Sequence, residues 1–253
     1  MRHGFVATSE GRVHYVRGGA GPTLVLLHSN GNSIYEWDDV IDDLASSFDV
    51  IAWDQPGQGD SDGLRRHLDI DAYTDVLVEV LDALGVERAA VAGTSIGGFF
   101  VVSLAARHPN RVTHAVPIET MFRDEAWWTA NWDMVEGNFG IPTQEREAVE
   151  ARLREVTDGF FRRWNIDRNK AGARSMMSTM WAIREYDIRS WAPKMTVPTL
   201  IVYGAKGPTI AVRDDFEAAV DGAEVCVLEE SGHFPMVDEP RPFVEALRQF
   251  CSG

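Results

Sequence analysis

The 253-residue chain predicts an α/β fold, a doubly wound and mostly parallel sheet with a helical insertion. Three observations carry this expectation. Short apolar runs without alternation recur along the chain, as strands covered on both faces require. Stretches of helical spacing separate them, which is the pattern of strand–helix–strand crossovers. The charge also breaks: residues 120–194 hold 12 basic and 12 acidic residues, whereas the remainder holds 12 basic and 27 acidic and carries the whole net charge of −15. Residues 1–119 and 195–253 are therefore read as one core, and 120–194 as a separate helical layer inserted between two of its strands.

Residues 5–8 and 13–16 are two short strands joined through Glu10-Gly11, a hairpin at one sheet edge. Residues 23–27 form an uninterrupted apolar strand opening into His28-Ser29-Asn30-Gly31. Residues 49–54 form the next strand, followed by the turn-rich Gln55-Pro56-Gly57-Gln58-Gly59-Asp60-Ser61. Between 70 and 84 the apolar residues Ile70, Tyr73, Leu77, Val80, Leu81 and Leu84 fall on one helical stripe, stopped by Gly85. Residues 112–118 are a strand in which Pro117 removes a ladder bond, so its end is expected to be irregular or at an edge. Within the insertion a helix is expected from Thr143 past Arg154. Strands resume at 198–203 and 224–228, and a final amphipathic helix covers 240–250.

The stretch that organises the chain is Ala89 to Phe100. A buried strand runs straight into Gly93-Thr94-Ser95-Ile96-Gly97, and a helix follows. Strand, sharp turn and helix are the context of a nucleophile elbow. Ser95 then stands at the helix N-terminus with its hydroxyl presented outward and the Ile96 amide free to donate. A serine hydroxyl needs a base, and the base needs orienting. His233, in Ser231-Gly232-His233-Phe234-Pro235, follows the last strand and so lies on the rim where Ser95 emerges. His3, His14, His67, His108 and His114 have no comparable context, and His28 reads as loop scaffolding.

Composition narrows the function classes. The strong negative charge argues against a nucleic-acid partner, and no stretch reaches the ~20 apolar residues of a membrane span. Two cysteines, Cys226 and Cys251, make no disulfide framework and fit a reducing compartment, so a cytoplasmic location is expected. No metal-ligand spacing and no phosphate-cradling loop is present, and no cofactor is called for. The expected partner is a small-molecule substrate.

His28-Ser29-Asn30-Gly31, the Asp54–Ser61 turn, the Ser95 elbow and Ser231-Gly232-His233 stand in the order and spacing of the α/β-hydrolase superfamily. The chain resembles its capped esterases, lactonases and dehalogenases. The resemblance implies that Ser95 is the nucleophile, His233 the base, and 120–194 a helical cap. It also implies a second oxyanion donor from the loop after the first core strand. Here that is the Asn30 amide, with Ser29 as the other candidate; Ser29 could equally contact substrate. The family's aspartate, a few residues past the strand at 199–202, is missing: Gly207 stands in its place. Some relatives take the acid from the end of the preceding strand, which makes Glu119 the first candidate, with Asp214 and Asp215 behind it.

Dehalogenation and epoxide hydrolysis through an aspartate nucleophile do not fit Ser95. Six of the eight tryptophans lie in 120–194, and Trp127, Trp128 and Phe234 are the aromatic residues nearest in sequence to Glu119 and His233. They are candidates for an apolar substrate wall. The expected activity is hydrolysis of a small, mostly apolar carboxylic ester or lactone. Carbon–carbon bond hydrolysis, perhydrolysis and a ligand-binding role with little turnover are the alternatives, the last supported by the missing aspartate.

Overall fold

Alternation along the strands of the sheet decides which side chains meet. In the computed structural model, which describes residues 1–251, Val25 and Leu27 pack into one apolar cluster while Leu24 and Leu26 pack into another. Ile51 and Trp53 divide from Val50 and Ala52 in the same way. These central strands thus feed two cores, one on each face, which is why their sequences are apolar without a polar period.

The strands are β1 (Arg2–Thr8), β2 (Gly11–Gly19), β3 (Thr23–Leu27), β4 (Asp49–Trp53), β5 (Ala89–Thr94), β6 (Val112–Ile118), β7 (Leu200–Gly204) and β8 (Glu224–Leu228). They form one eight-stranded sheet in the order β1-β2-β4-β3-β5-β6-β7-β8. The hairpin β1–β2 and the β2–β4 pair are antiparallel, and every other pair is parallel. The hairpin lies at the expected edge, with strands longer than the sequence pattern indicates. Pro117 is central rather than at an edge. It pairs with Gly93 of β5, and on its other side β6 meets β7 only at Ile118↔Val202 and through the isolated bridge Ala115↔Thr199. Ala115 and Glu119 donate to Pro198 and Val202; the proline between them, lacking an N–H, leaves the gap.

The helices are α1 (Ile41–Ala45), α2 (Ile70–Ala83), α3 (Ile96–Arg107), α4 (Glu125–Phe139), α5 (Arg146–Glu150), α6 (Asp158–Glu185), α7 (Ile188–Trp191), α8 (Arg213–Ala219), α9 (Pro235–Asp238) and α10 (Pro240–Cys251). Between β6 and β7 the chain forms α4 to α7 with irregular connections, and α6 is two helices meeting at Gly172, whose φ of 71° interrupts the run. The long helix expected from Thr143 past Arg154 does not form; only α5 does. Backbone groups on either side are engaged elsewhere: Gln144 N–H donates to Asn165, the Arg152 carbonyl accepts from His233 N–H, and Arg154 N–H donates to Asp238. Tertiary hydrogen bonds here outweigh helical propensity. Among the described residues no helix is long and apolar enough to cross a membrane.

Phe100 of α3 sits at the centre of the larger core, fully buried, edge-on to Trp53 and 5.1 Å from the Tyr73 ring of α2. It joins the elbow helix to the sheet. Phe100→Ala should therefore destabilise the protein by about 3–5 kcal/mol in urea unfolding, with the slope unchanged.

Candidate active site

The left-handed region of backbone space is sparsely used by residues with a Cβ. Among the described residues only two non-glycines adopt it, Ser95 (φ 55°) and Glu119 (φ 46°). They occupy equivalent places, one residue beyond Thr94 of β5 and Ile118 of β6, which are paired in register. Adjacent strand ends stand about 5 Å apart, and Ser95 N–H donates to the Ile118 carbonyl at 2.8 Å. The strain at Ser95 is imposed by crowding. A Cβ on Gly93 would lie 2.3 Å from the Gly97 carbonyl carbon, and one on Gly97 would lie 2.3 Å from the Leu27 oxygen. Strand β5, the turn and α3 can approach this closely only with glycine at both places.

Glu119 is fully buried and its carboxylate is held at three points. Gly204 N–H donates to Oε1 at 2.7 Å; Thr209 Oγ1–H at 2.5 Å and His233 Nδ1–H at 3.0 Å donate to Oε2. The position of Gly207 explains the missing aspartate. A Cβ there would lie 2.4 and 2.6 Å from the two Glu119 carboxylate oxygens. The carboxylate from β6 fills the volume that a side chain at 207 would need. Asp214 and Asp215 do not approach His233; they lie on exposed α8, paired with Arg213 and Arg189. The Tyr203 phenol is pushed up by burial and then by the Glu119 charge.

His233 is 11% exposed in its side chain, and with Nδ1 given to Glu119 its Nε2 is the nitrogen left for chemistry. Its main chain is fixed by the segment between β6 and β7, since His233 N–H donates to the Arg152 carbonyl at 2.8 Å. Its ring lies edge-on to Phe234, 5.0 Å away, and Phe234 in turn lies edge-on to Trp164.

The loop after β3 has three successive amides with different fates. Ser29 N–H donates to Glu36, as does the Ser29 hydroxyl, at 2.5 Å. Gly31 N–H donates to Gln58 Oε1 at 2.6 Å. Asn30 N–H between them makes no hydrogen bond among the described residues, and neither does Ile96 N–H. The Asn30 side chain is held by Gln58 and by the Met176 carbonyl. Two undirected amides at one rim can polarise a carbonyl. His28 accepts from Gln55 N–H at Nε2 and donates from Nδ1 to the Ser29 carbonyl, consistent with scaffolding.

Trp128 is buried within the α4 layer, and Trp127 packs perpendicular to it with Arg123 over its ring. Gln58 lies in the Asp54–Ser61 motif but had no role assigned there, and Thr209 was marked by no motif, because each acts through a partner remote in sequence.

Only His14, Asp54 and Asp60 bring potential metal-ligand atoms within 4.8 Å of one another among the described residues. Asp54 is engaged at three points: Oδ1 accepts from Ile34 N–H, and Oδ2 from His14 Nδ1–H and Asp60 N–H. Asp60 pairs with Lys170. These contacts order the turn after β4.

The α/β hydrolase fold family model matches residues 22–240. A pimeloyl-[acyl-carrier protein] methyl ester esterase of Vibrio vulnificus is 25% identical, over 94% of this chain and 98% of its own. The enzyme of the same description from Aeromonas hydrophila is 27% identical, over 92% and 97%. An enol-lactonase from Burkholderia xenovorans superposes with a TM-score of 0.83 at 24% identity, over 99% and 100%, a likeness of fold.

Two measurements check this geometry. Gly207→Ala should destabilise by about 1–3 kcal/mol, and Glu119→Ala should relieve that clash, giving a coupling above about 0.5 kcal/mol in a double-mutant cycle. Burial pushes the Asp54 carboxyl upward, but the His14 hydrogen bond and the Asp60 and Ile34 amides hold it below its ordinary value. Its stabilisation is thus present above the unfolded pKa of about 3.9 and lost as pH falls through the lower folded value. Asp54→Asn should lower stability at pH 7 by about 1–3 kcal/mol and flatten the acid limb of the stability–pH curve.

Proposed function

The chain belongs to the α/β hydrolase fold family, and on that premise we propose that it hydrolyses a small carboxylic ester or lactone through an acyl-enzyme intermediate. The observation that carries this reading is the buried Glu119 carboxylate bonded to His233, one strand-end away from the Ser95 elbow. Ser95 Oγ attacks the carbonyl carbon while His233 Nε2 takes its proton. The same nitrogen then protonates the leaving alkoxide, and in the second half-reaction it activates water against the acyl group. Glu119 fixes the Nδ1–H tautomer and stabilises the imidazolium as it forms. The Ile96 and Asn30 amides receive the oxyanion, where preorganised dipoles need no reorientation as charge develops.

The esterase descriptions of the curated relatives support this class of reaction. A binding role without turnover drew its support from the empty place at 207. The Glu119 carboxylate in that volume removes that ground.

A fluorophosphonate should modify Ser95 in the wild type, read by peptide mass spectrometry, and the rate should collapse in His233→Ala. Folded wild-type protein that resists labelling would sink the hydrolase reading. Glu119→Gln should lower kcat by about 100- to 10,000-fold, since the histidine loses its orienting charge. Glu119→Gly combined with Gly207→Asp moves the acid to the other wall of the same volume and should recover at least about tenfold over Glu119→Gly alone. Wild-type kcat in Glu119→Gln would assign the acid elsewhere.

A further inference from the structure

Arg168 is a buried cation without an anion. It lies in the half of α6 before Gly172 and is fully buried. Its Nε donates to the Pro142 carbonyl at 2.7 Å, and Nη2 donates to the Asn138 and Ile141 carbonyls at 2.5 and 3.1 Å. These oxygens cluster at the C-terminal end of α4, where the helix dipole favours a cation. They hold the guanidinium fork in place and leave two things undone. No carboxylate pairs with Arg168 among the described residues, and the buried Nη1 has no hydrogen-bond partner. An uncompensated charge of this kind is costly, and buried polar atoms are ordinarily satisfied.

Nη1 faces the loop after β3. A Cβ on Gly31 would stand 3.2 Å from it, and Gly31 is the neighbour of Asn30, whose amide is free. A second guanidinium is close by. Burial and then the charge of Arg152 pull the Arg168 pKa down to about 10, which leaves it a cation at neutral pH. Arg152 also makes no ion pair among the described residues. It lies over the Trp164 ring, and its carbonyl receives His233 N–H. The Arg168 guanidinium thus lies against the loop that carries Asn30, and Arg152, its guanidinium over Trp164, meets the loop that carries His233 through its carbonyl. The nearby acids are already engaged: Asp167 with Ser33 and Arg163, and Glu36 with Ser29 and Asn32.

We propose that Arg168, assisted by Arg152, binds a carboxylate carried by the substrate at the end remote from the ester. This deepens the hydrolase reading and rests on it. A planar carboxylate accepts from Nη1 in a desolvated place, and its charge completes an environment that the protein alone leaves unbalanced. The substrate class is then an ester or lactone of a dicarboxylic acid with an apolar stem and a free acid terminus.

The test compares monomethyl adipate with its neutral isostere, the methyl ester of adipic acid monoamide. Wild type should favour the acid by about 10- to 100-fold in kcat/KM, the worth of a hydrogen bond to a charged group. In Arg168→Met that ratio should fall toward one, chiefly through KM. A purely structural staple predicts equal losses on both esters and an unchanged ratio, and that result would overturn the proposal. So would a wild-type ratio near one. Arg152→Gln is the second variant should Arg168→Met not fold, with the ratio again expected to drop. Adipate binding, followed by tryptophan fluorescence, separates this site from the reaction. Adipate bound by wild type and not by the variants supports the site even if neither ester is cleaved, whereas absence of binding refutes it.

Discussion

A carboxylate with no exposure to water needs donors, and the arrangement around Glu119 is the set of donors the fold supplies. One comes from the end of β7, one from the loop that follows it, and one from the loop after β8. A charge in such a place is stable only when its oxygens are hydrogen-bonded. The loops are therefore held against the sheet by the same group that orients the histidine. Positive φ at Glu119 turns the side chain toward them after a strand whose ladder is already loosened by Pro117. Loss of the carboxylate would leave Gly204 N–H and Thr209 Oγ–H facing an apolar gap as well as freeing His233.

The segment between β6 and β7 meets the rim loops by backbone contact as much as by side chains. The Met176 carbonyl accepts from Asn30, and the Arg152 carbonyl from His233. Gln58 ties the turn after β4 to Asn30, Gly31 and Thr179. The loops on the rim are thus braced from three sides. This is what preorganisation requires of groups that must not reorient as charge develops.

Most of the sheet was legible in the sequence because parallel strands announce themselves as apolar runs and the elbow needs its two glycines. Ser95 and His233 could be found because strand ends place them. The carboxylate that meets His233 was legible only by default: the glycine at 207 marked a vacancy, and Glu119 stood at the end of the neighbouring strand. The sequence does not show that the two facts are one, since the contact spans 88 residues between positions 119 and 207. The break of α5 was missed because the groups that end it, Asn165, Asp238 and His233, are distant along the chain. Arg168 escaped for the same reason: its surroundings, not its type, single it out.

The overlap of Glu119 with the space above Gly207 constrains how such a chain can change over generations. Two acids cannot occupy that volume together as ions, because like charges so close would force one to keep its proton. A lineage moving the acid from one strand end to the other must pass through a stage with a shared proton or a stage with no acid at all. Each alters the base before the new arrangement is complete. Relatives bearing either placement are therefore expected to sit in separate branches, with few members holding both.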